Sequence, residues 1–284
     1  MQAIATQLRD ARTRLAPIAG ANAALEARLL AAHAWGMSHE ALILEGDAAR
    51  EPSAFTALVE RRLNAEPVAQ IVGSRDFWKD TFTVTRDVLT PRADSETMLE
   101  TLLRLRPDTD AVYRLLDLGT GSGCLILSAL REYPQACGVG VDVSPAALKI
   151  AAHNAAALGM EKRCTMQHGH WCDTLEGQFD IILSNPPYIP TAEITGLDAD
   201  VRLHEPHQAL DGGLDGLDDY RRIAQQVTRH ALPGSLLLFE VGMGQAEDVA
   251  AIAVAAGWKL LTITKDLAGI ARVVALEFNT NQNS

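Results

Sequence analysis

Apolar and polar positions alternate along most of the chain in a way that indicates its fold. From Tyr113 onward, short apolar runs alternate with segments that have the 3.6-residue spacing of amphipathic helices. This alternation is typical of a parallel sheet covered by helices on both faces. The sequence therefore predicts an α/β domain with a doubly wound, mainly parallel sheet. The seven predicted strands are YRLLDLG, CGVGVDV, RCTMQHG, FDIILSN, SLLLFEV, KLLTITK and RVVALEF. The last two leave no room for a helix between them, so we expect them to pair antiparallel.

The first part of the chain has a different character. Residues 1–66 are rich in Ala, Leu, Glu and Arg, and their apolar positions recur at helical spacing. This predicts a small all-helical domain of four or five short helices, and we interpret it as a packing or docking module. Residues 67–90 have β-branched and aromatic residues in short alternating runs, which predicts a β-hairpin-like connector. The sheet domain is then predicted at 91–278, followed by a disordered tail at 279–284.

Composition and charge exclude several classes of protein. Of 284 residues, 48% are apolar, so the chain can bury a sizeable core. The formal net charge is −11, from 25 basic and 36 acidic residues, and no long Lys/Arg run is present. We therefore expect no stable, sequence-independent binding to duplex DNA, although a local basic patch stays open.

The N-terminal sequence and the cysteines indicate a compartment. The start MQAIATQLRDARTRL carries charges where a secretory signal needs an apolar stretch. No window approaches the ~18 uninterrupted apolar residues of a membrane span. Four cysteines are too few for a disulfide scaffold, so we expect reduced thiols. These features predict a cytoplasmic protein without membrane contact.

Three glycines stand where the first sheet strand should meet a helix. Gly119, Gly121 and Gly123 follow the run LLDL. Glycines at this junction allow a tight turn, bring a ligand against the main chain and offer helix N-terminal amides to a negatively charged group. The next predicted strand ends in Asp142, whose carboxylate can accept both hydroxyls of a ribose. Asp142 could instead cap the next helix, but Ser144 suits that position better. The pattern favours a cofactor that contains adenosine.

The spacing of the glycines distinguishes between adenosine cofactors. NAD sites normally have Gly-x-Gly-x-x-Gly, whereas this chain has Gly-x-Gly-x-Gly, with the acidic Asp117 just before it. That variant resembles the S-adenosyl-L-methionine site of class I methyltransferases, which have a Rossmann-like fold. The resemblance implies that the turn lies under the methionine part of the cofactor, with Asp117 near the ammonium group.

The fourth apolar run, FDIILS, stops at an unusual turn formed by Asn185, Pro186, Pro187 and Tyr188. The two prolines remove two N–H donors, fix φ and keep Asn185 out of the helical region. We therefore expect a rigid turn at the carboxyl edge of the sheet, where doubly wound folds bind ligands. The alternative is that the prolines only terminate a strand.

The hydrogen-bond acceptors of this prolyl turn, residues 185–188, predict which chemical group the substrate carries. The Asn185 side-chain oxygen and the Pro186 main-chain carbonyl are two acceptors that can bind both hydrogens of a planar –NH2 group. Such binding orients the nitrogen for in-line methyl transfer, which depends on positioning rather than on a strong base. The motif resembles that of methyltransferases acting on amides, adenine N6 or cytosine N4.

The segment CTMQHGHWC also suggests a metal site, because Cys164, His168, His170 and Cys172 are residue types that bind zinc. On a strand, alternate positions share one face, and that face cannot easily wrap a tetrahedral ion at this spacing. We therefore expect no metal.

Motifs outside the glycine turn and the prolyl turn indicate one family of methyltransferases. Over nearly its full length the chain resembles the release factor glutamine methyltransferases (the HemK/PrmC family). The resemblance rests on the helical N-terminal domain and on the stretches PVAQIVGSRDFW, LTPRADSE, DLGTGSG, VDVS, SNPPYI and EPHQALDGGLDGL. It implies N5-methylation of the glutamine in the Gly-Gly-Gln loop of class I peptide chain release factors. It also implies S-adenosyl-L-methionine as the methyl donor and S-adenosyl-L-homocysteine as the product.

The resemblance assigns roles by position. It implies that the glycine turn and Asp142 hold the cofactor, that Trp171 lies against its adenine, and that the helical domain docks the release factor. It also implies that the prolyl turn grips the glutamine and that Asn185 approaches the cofactor methyl. The implied cofactor residues are Asp117, Gly119, Thr120, Gly121, Ser122, Gly123, Asp142, Trp171 and Asn185, and the implied substrate residues are Asn185, Pro186, Pro187 and Tyr188. Trp171 could instead be a core aromatic beside the third strand.

Three positions depart from the family pattern. Ala93 replaces the second proline of Pro-Arg-Pro, and Asp76 replaces the glutamate of Glu-Phe. His170 stands where an acidic residue often precedes the aromatic on the adenine side, so a contact with the adenine amino group would be missing or moved to Asp173. None of these changes lies in the prolyl turn, so we expect the activity to be retained.

Two other functions are compatible with part of this pattern. The first is a nucleic-acid amino-methyltransferase, which would share the prolyl turn; the acidic charge and the lack of a target-recognition domain argue against it. The second is a non-catalytic, cofactor-sensing binding protein, which would have no need of the intact Asn-Pro-Pro-Tyr. Arg92 and Glu96 stay open between a functional role and a surface salt bridge.

Overall fold

The computed structural model describes residues 1–279 and divides into two compact units. The helices are α1 (Ile4–Ala19), α2 (Ala23–Trp35), α3 (His39–Leu44), α4 (Ser53–Leu63), α5 (Val68–Val72), α6 (Glu96–Leu105), α7 (Cys124–Glu132), α8 (Pro145–Ala157), α9 (Ala199–His204), α10 (Asp218–Gln226) and α11 (Ala246–Ala255). The strands are β1 (Gln2–Ala3), β2 (Ala49–Arg50), β3 (Ser74–Phe77), β4 (Asp80–Thr83), β5 (Arg114–Leu118), β6 (Cys137–Asp142), β7 (Cys164–His168), β8 (Phe179–Ser184), β9 (Ala231–Glu240), β10 (Trp258–Lys265) and β11 (Ala271–Phe278). Residues 280–284 of the predicted tail lie outside the described residues.

The first unit is helical, as its sequence pattern predicted. It contains residues 1–74 together with the later segment 197–205. Helices α1, α2 and α4 pack on one another around a core that includes Leu15, Leu30 and Phe55. The apolar spacing of the sequence thus forms one buried stripe per helix.

Polar contacts explain why α9 belongs to this unit despite its distance in sequence. Arg62 is only 6% exposed, and its Nε donates to Glu26 Oε2 at 2.8 Å. Its Nη2 lies 3.5 Å from Asp200 Oδ2. Gln70 Nε2 donates to the His204 carbonyl at 3.1 Å. The predicted domains did not include this segment in the helical unit, because local sequence does not show where a one-turn helix packs.

The predicted connector, residues 67–90, is divided between the two units. Strands β3 and β4 form the expected two-stranded sheet, but the segment before them is the helix α5. Ile71 donates its N–H to the Pro67 carbonyl at 3.0 Å, and its side chain is buried in the helical core. β-Branched residues favour strands only weakly, so this packing decides the conformation. The helical unit therefore extends to residue 74 and the second unit begins at Arg75, in place of the predicted boundaries at 66 and 91.

The second unit is built on a sheet with the strand order β10-β11-β9-β8-β5-β6-β7. Strands β7, β6, β5, β8 and β9 are mutually parallel, and β11 pairs antiparallel with β9 and β10. All seven predicted strands are therefore confirmed within residues 1–279, including the antiparallel last pair. Adjacent residues such as Leu115 and Leu116 belong to different apolar clusters, because neighbouring positions of a strand face opposite sides of the sheet.

The strand order determines where a ligand can bind. Strand β5 has β6 on one side and β8 on the other, and such a switch point leaves a crevice at the carboxyl ends of the strands. Leu118 pairs with Ser184, and Ser184 pairs with Phe239. The next residues of the three strands, Gly119, Asn185 and Glu240, therefore lie next to one another at this edge.

No helix in residues 1–279 combines the length and the apolar character that crossing a membrane requires.

Candidate active site

A cavity of about 360 Å³ opens at this edge of the sheet, within the second unit. Its wall combines the turns after β5 and β8, the end of β6, residues 169–171 and residues 87–92. The predicted site residues in the wall are Gly119, Thr120, Gly121, Ser122, Asp142, Trp171, Asn185 and Pro187. In the described part of the chain, the wall does not include Asp117, Gly123, Pro186 or Tyr188. One cavity thus brings together the glycine turn, the acidic strand end and the prolyl turn.

The glycine turn has a backbone that favours glycine. The φ angle is 77° at Gly119, 54° at Gly121 and 80° at Gly123, all in the left-handed region. The N–H groups of Gly119 and Thr120 both donate to the Val141 carbonyl at 2.9 Å, which attaches the turn to β6. A Cβ at Gly121 would meet no atom of the described residues within 4 Å. The turn therefore leaves room for a ligand against its main chain.

Asp142 lies at the end of β6 and joins the glycine turn to the next helix. Its Oδ2 accepts a hydrogen bond from the Gly121 N–H at 2.9 Å, and its Oδ1 accepts one from the Ser144 N–H at 2.8 Å. Ser144 caps α8, with its hydroxyl accepting from the Ala147 N–H at 3.2 Å. Burial raises the pKa of Asp142, and the two main-chain hydrogen bonds oppose this effect. Asp142 is thus free of the capping role and keeps lone pairs for further donors.

Asp117 lies beneath the glycine turn and is fully buried. Thr120 Oγ1 donates to its Oδ2 at 2.7 Å, whereas Oδ1 has no hydrogen-bond partner among the described residues. Burial raises the pKa of Asp117 to about 7, and the nearby Asp142 adds to the increase. The carboxyl therefore supports the turn from inside the core, and its place near a cofactor ammonium group stays a prediction.

Trp171 forms one side of the cavity and is also part of the core. Its side chain is 9% exposed, and its Nε1–H donates to Asp219 Oδ1 at 3.0 Å. A Cβ at Gly119 would lie 3.2 Å from the Trp171 ring, so a larger residue at 119 would displace this ring. The Trp171 backbone has φ 54°, a strained value for a bulky residue, and such strain is concentrated at functional sites. The two predicted alternatives, core aromatic and ligand platform, are therefore compatible.

An acidic side chain, Asp219, lies beside Trp171. Asp219 lines the cavity, whereas Asp173 lies outside the described cavity wall and accepts a hydrogen bond from Gln226 Nε2 at 3.1 Å. His170 lies in the wall, 5.8 Å from the Trp171 ring between centroids, and 3.1 Å from the Arg222 guanidinium. An acidic group is thus present on the Trp171 side even though His170 replaces the usual acidic residue.

The prolyl turn is held from behind by the turn between β9 and α11. Gln245 Nε2 donates to the Tyr188 carbonyl at 2.9 Å, and Gln245 Oε1 accepts from the Gly242 N–H at 3.0 Å. Burial raises the pKa of Tyr188, whose ring packs against the core. Tyr188 therefore anchors the prolyl turn through its main chain and its ring.

The segment with the Asp-Gly-Gly sequence supports the prolyl turn from the other side. The Ile189 N–H donates to the Leu210 carbonyl at 3.0 Å, and the Gly212 N–H donates to the Ile189 carbonyl at 2.9 Å. A Cβ at Gly212 would lie 2.7 Å from the Pro187 carbonyl oxygen, closer than such atoms can approach. Glycine at 212 is therefore required for this contact.

Glu240 is a buried acid beside Asn185 that the sequence did not predict as a site residue. It is the last residue of β9, is 3% exposed and lies within hydrogen-bonding reach of Ser95 and Asn185. Burial raises its pKa to about 7, against the opposing effects of those hydrogen bonds and of Arg272. Sequence reasoning could have found Glu240, because it is an acidic residue at the end of an apolar run, as Asp142 is. Asp219 and Gln245 gave no such signal, because both stand at the start of a helix.

Two further predictions concern side chains near the site. Glu96 accepts a hydrogen bond from the Trp78 main-chain N–H at 2.8 Å, which gives it a structural contact, whereas Arg92 lines the cavity. Within residues 1–279, no three of the His, Cys, Asp and Glu side chains are grouped so that they could hold a metal ion.

Comparison with known proteins finds relatives for both units. Residues 6–73 match the family model of the PrmC N-terminal domain, and residues 93–210 match that of the methyltransferase small domain. A release factor glutamine methyltransferase from Rhodospirillum rubrum is 44% identical over 247 residues, which are 86% of this chain and 75% of that protein. The protein of the same name from Cereibacter sphaeroides is 43% identical over 274 residues, which are 95% of this chain and 97% of that protein.

A solved structure agrees with the fold. The crystal structure of a methyltransferase from Pyrococcus furiosus aligns with a TM-score of 0.53 at 14% identity, over 78% of this chain and 97% of that chain. At this identity the likeness concerns the fold alone.

Proposed function

The chain belongs to the release factor glutamine methyltransferase family, and from this premise we propose how its cavity serves N5-methylation of a protein glutamine. The methyl donor is S-adenosyl-L-methionine, and the acceptor is the glutamine in the Gly-Gly-Gln loop of class I peptide chain release factors. One observation carries the proposal: the glycine turn with Asp142 and the prolyl turn with Asn185 line the same cavity. In this proposal, the methyl donor and the planar nitrogen would bind next to each other.

Asp142, the glycine turn and Trp171 fit the cofactor. Each Asp142 oxygen accepts one N–H and keeps lone pairs for the hydroxyls of a ribose. The open space over Gly121 suits the methionine part, and the Trp171 ring offers a flat apolar surface to an adenine. When bound, S-adenosyl-L-methionine supplies an electrophilic methyl group on a positively charged sulfur. Asp117 would act indirectly, by supporting the turn through Thr120.

The prolyl turn would hold the glutamine amide. Asn185 Oδ1 and the Pro186 carbonyl would each accept one N–H of the amide, which fixes its plane and its distance from the donor site. Because the turn is already rigid, little entropy would be lost when the amide is placed for reaction. Positioning would therefore account for much of the rate enhancement. As the glutamine nitrogen bonds to the methyl group, the bond from that methyl to sulfur would break, leaving S-adenosyl-L-homocysteine, and one amide hydrogen would pass to water as a proton without a strong base.

The helical unit would dock the release factor. Its helix α3 exposes two adjacent apolar side chains, Ile43 at 74% and Leu44 at 85%. Neighbouring exposed apolar residues are a feature of protein-binding surfaces. A protein substrate, unlike a free amino acid, is large enough to use such a surface in addition to the cavity.

The direct test is incubation of the enzyme with purified release factor and S-adenosyl-L-methionine, followed by mass spectrometry of the Gly-Gly-Gln peptide. We expect one added methyl group on the glutamine nitrogen. In Asn185→Ala we expect methyl transfer to fall by about 100-fold or more, because one of the two acceptors is lost. Binding of S-adenosyl-L-homocysteine to this variant, measured by calorimetry, should stay close to that of the unmodified enzyme.

Two results would contradict the proposal. Methylation of an oligonucleotide with none on the release factor would favour the nucleic-acid alternative. Cofactor binding without methyl transfer to either substrate would favour a cofactor-sensing binding protein.

A further inference from the structure

Glu240 is a buried acid behind the prolyl turn. Ser184 pairs with Phe239 in the parallel sheet, so Asn185 and Glu240 are the next residues in register. Asn185 lines the cavity, whereas Glu240 does not belong to the wall within residues 1–279. Glu240 therefore lies beside Asn185 without lining the cavity.

The chemistry of the two groups determines how the Asn185 amide is oriented. In its ionised form, which prevails above its pKa of about 7, the Glu240 carboxylate accepts hydrogen bonds and donates none, so it binds the –NH2 end of an asparagine amide. Glu240 lies within hydrogen-bonding reach of the Asn185 side chain. With the –NH2 end turned toward Glu240, the oxygen end of the amide faces the cavity. The cavity then presents an acceptor at this point, as a substrate with N–H donors requires.

We propose that Glu240 is a positioning residue that selects a primary amide as the substrate, by holding the Asn185 oxygen toward the cavity. This inference rests on the proposed function, because it concerns the same reaction. Without Glu240, the Asn185 amide could turn over and present its –NH2 end, which repels a second –NH2 group and favours a carboxylate. Glu240 thus acts on specificity through Asn185 and contacts no reacting atom itself.

The burial of Glu240 argues against a purely packing role. Leu236, Leu237 and Leu238 before it are fully buried, and a leucine at 240 would continue that core at lower cost. Glu240 Oε2 is also buried without a hydrogen-bond partner in the described part of the chain. A buried, incompletely paired carboxyl lowers the stability of the fold. Its presence is most simply explained by a specific partner.

Other groups around Glu240 balance its charge. Arg272 attracts the carboxylate, and Asp94, which lies 3.2 Å from Arg272, repels it. The Tyr220 hydroxyl donates to the Glu240 main-chain carbonyl at 2.7 Å, and Ser95 lies near the side chain. Arg272 cannot take the place of Glu240 as an acceptor for the Asn185 amide, because a guanidinium only donates hydrogen bonds.

The test measures recognition of the amide separately from turnover. Calorimetry with S-adenosyl-L-homocysteine present gives the affinity for the release factor and for the same factor with its target glutamine changed to alanine. The ratio of the two affinities is the contribution of the amide. We expect it to be about tenfold in the unmodified enzyme, from two hydrogen bonds. In Glu240→Leu it should fall to about one.

A paired exchange distinguishes orientation from stability. Asn185→Asp places two carboxyls side by side, and we expect it to lose the amide contribution. Adding Glu240→Gln to this variant should restore at least about a threefold contribution, because the Gln –NH2 then donates to the Asp carboxylate, whose other oxygen faces the cavity. A packing role for Glu240 predicts no such rescue. Affinity for S-adenosyl-L-homocysteine alone, within about threefold of the unmodified enzyme, shows that the fold is intact.

The outcomes separate the two proposals. If the unmodified enzyme shows no amide contribution, the proposed recognition of glutamine by the prolyl turn is overturned. If it shows one, and Glu240→Leu keeps it or the paired exchange fails to restore it, the role of Glu240 is overturned while the proposed function stands.

Discussion

Gly212 lies directly against Pro187, in the middle of the prolyl turn. A Cβ at position 212 would stand 2.7 Å from the Pro187 carbonyl oxygen and 2.8 Å from Tyr188 Cα. The Gly212 N–H also donates to the Ile189 carbonyl at 2.9 Å. The Asp-Gly-Gly stretch therefore supports the prolyl turn, although it lies more than twenty residues after it in sequence.

Replacement of Gly212 by alanine should therefore displace the prolyl turn. We expect Gly212→Ala to reduce methyl transfer by about 100-fold, because small misplacements of reacting groups have effects of this size. Cofactor binding should change little, since the glycine turn is not touched. Gly196→Ala is the matched control: Gly196 is exposed, its φ is not in the left-handed region, and a Cβ there meets no described atom within 4 Å. Equal activity of the two variants would mean that the contact is unimportant.

Much of the fold could be predicted because its strands are local patterns. Each of the seven runs is apolar and bounded by turn residues. The lack of room for a helix between β10 and β11 predicts that these two strands pair antiparallel. The limits of the helical unit could not be predicted in the same way. Whether the β-branched segment at α5 becomes helix or strand depends on Ile71 reaching a core formed elsewhere. The place of α9 depends on Arg62 and Gln70, which are more than 100 residues away in sequence.

The site residues likewise include some that local sequence predicts and some that depend on contacts between distant segments. The glycine turn and Asn185 could be predicted, because their chemistry follows from residues at the ends of individual strands. Gln245 and Asp219 contribute through contacts with Tyr188 and Trp171 that only the folded chain brings together. The full burial of the Asp117 carboxyl under the turn was not predicted. Burial is a property of the assembled sheet and is not visible in a five-residue motif.

Removal of the Asp142 charge should weaken cofactor binding. Asn at this position can accept through only one of its two terminal atoms, so Asp142→Asn loses either the Gly121 or the Ser144 contact as well as one acceptor for a ribose hydroxyl. We expect affinity for S-adenosyl-L-homocysteine to fall by about 10-fold to 100-fold, the usual loss for a hydrogen bond to a charged group. Calorimetry would measure it, with Asp110→Asn as a control of equal charge at an exposed position. An unchanged affinity would exclude Asp142 from the cofactor site.

Trp171 can be tested by separating its ring from its hydrogen bond. Trp171→Phe keeps an aromatic surface but loses the donor to Asp219, and we expect cofactor affinity to fall by less than about tenfold. Trp171→Ala removes the surface and should cost clearly more. Fluorescence or calorimetric titration with S-adenosyl-L-homocysteine would distinguish the two. Equal losses in both variants would indicate that the hydrogen bond, and not the ring, is what matters.

Asp117 predicts a pH dependence of stability. Its folded-state pKa is raised from 3.8 to about 7, chiefly by burial, so between these values the native protein keeps a proton that the unfolded chain has lost. The native state then binds more protons, and the free energy of unfolding falls as the pH rises through this window. One such group contributes at most about 1.4 kcal/mol per pH unit. Glu240, with a pKa raised from 4.5 to about 7, contributes in the same direction.

Chemical denaturation from about pH 5 to about pH 8 would measure this effect. Asp117→Asn cannot titrate at this position, so its stability should decline less steeply than that of the unmodified protein across the lower part of the range. Glu240→Gln should remove a separate part of the slope, and the double variant should be flatter than either, because each carboxyl contributes its own proton. Parallel curves for the unmodified protein and Asp117→Asn would show that Asp117 is already ionised in the folded state, with its charge balanced by more than the Thr120 hydroxyl.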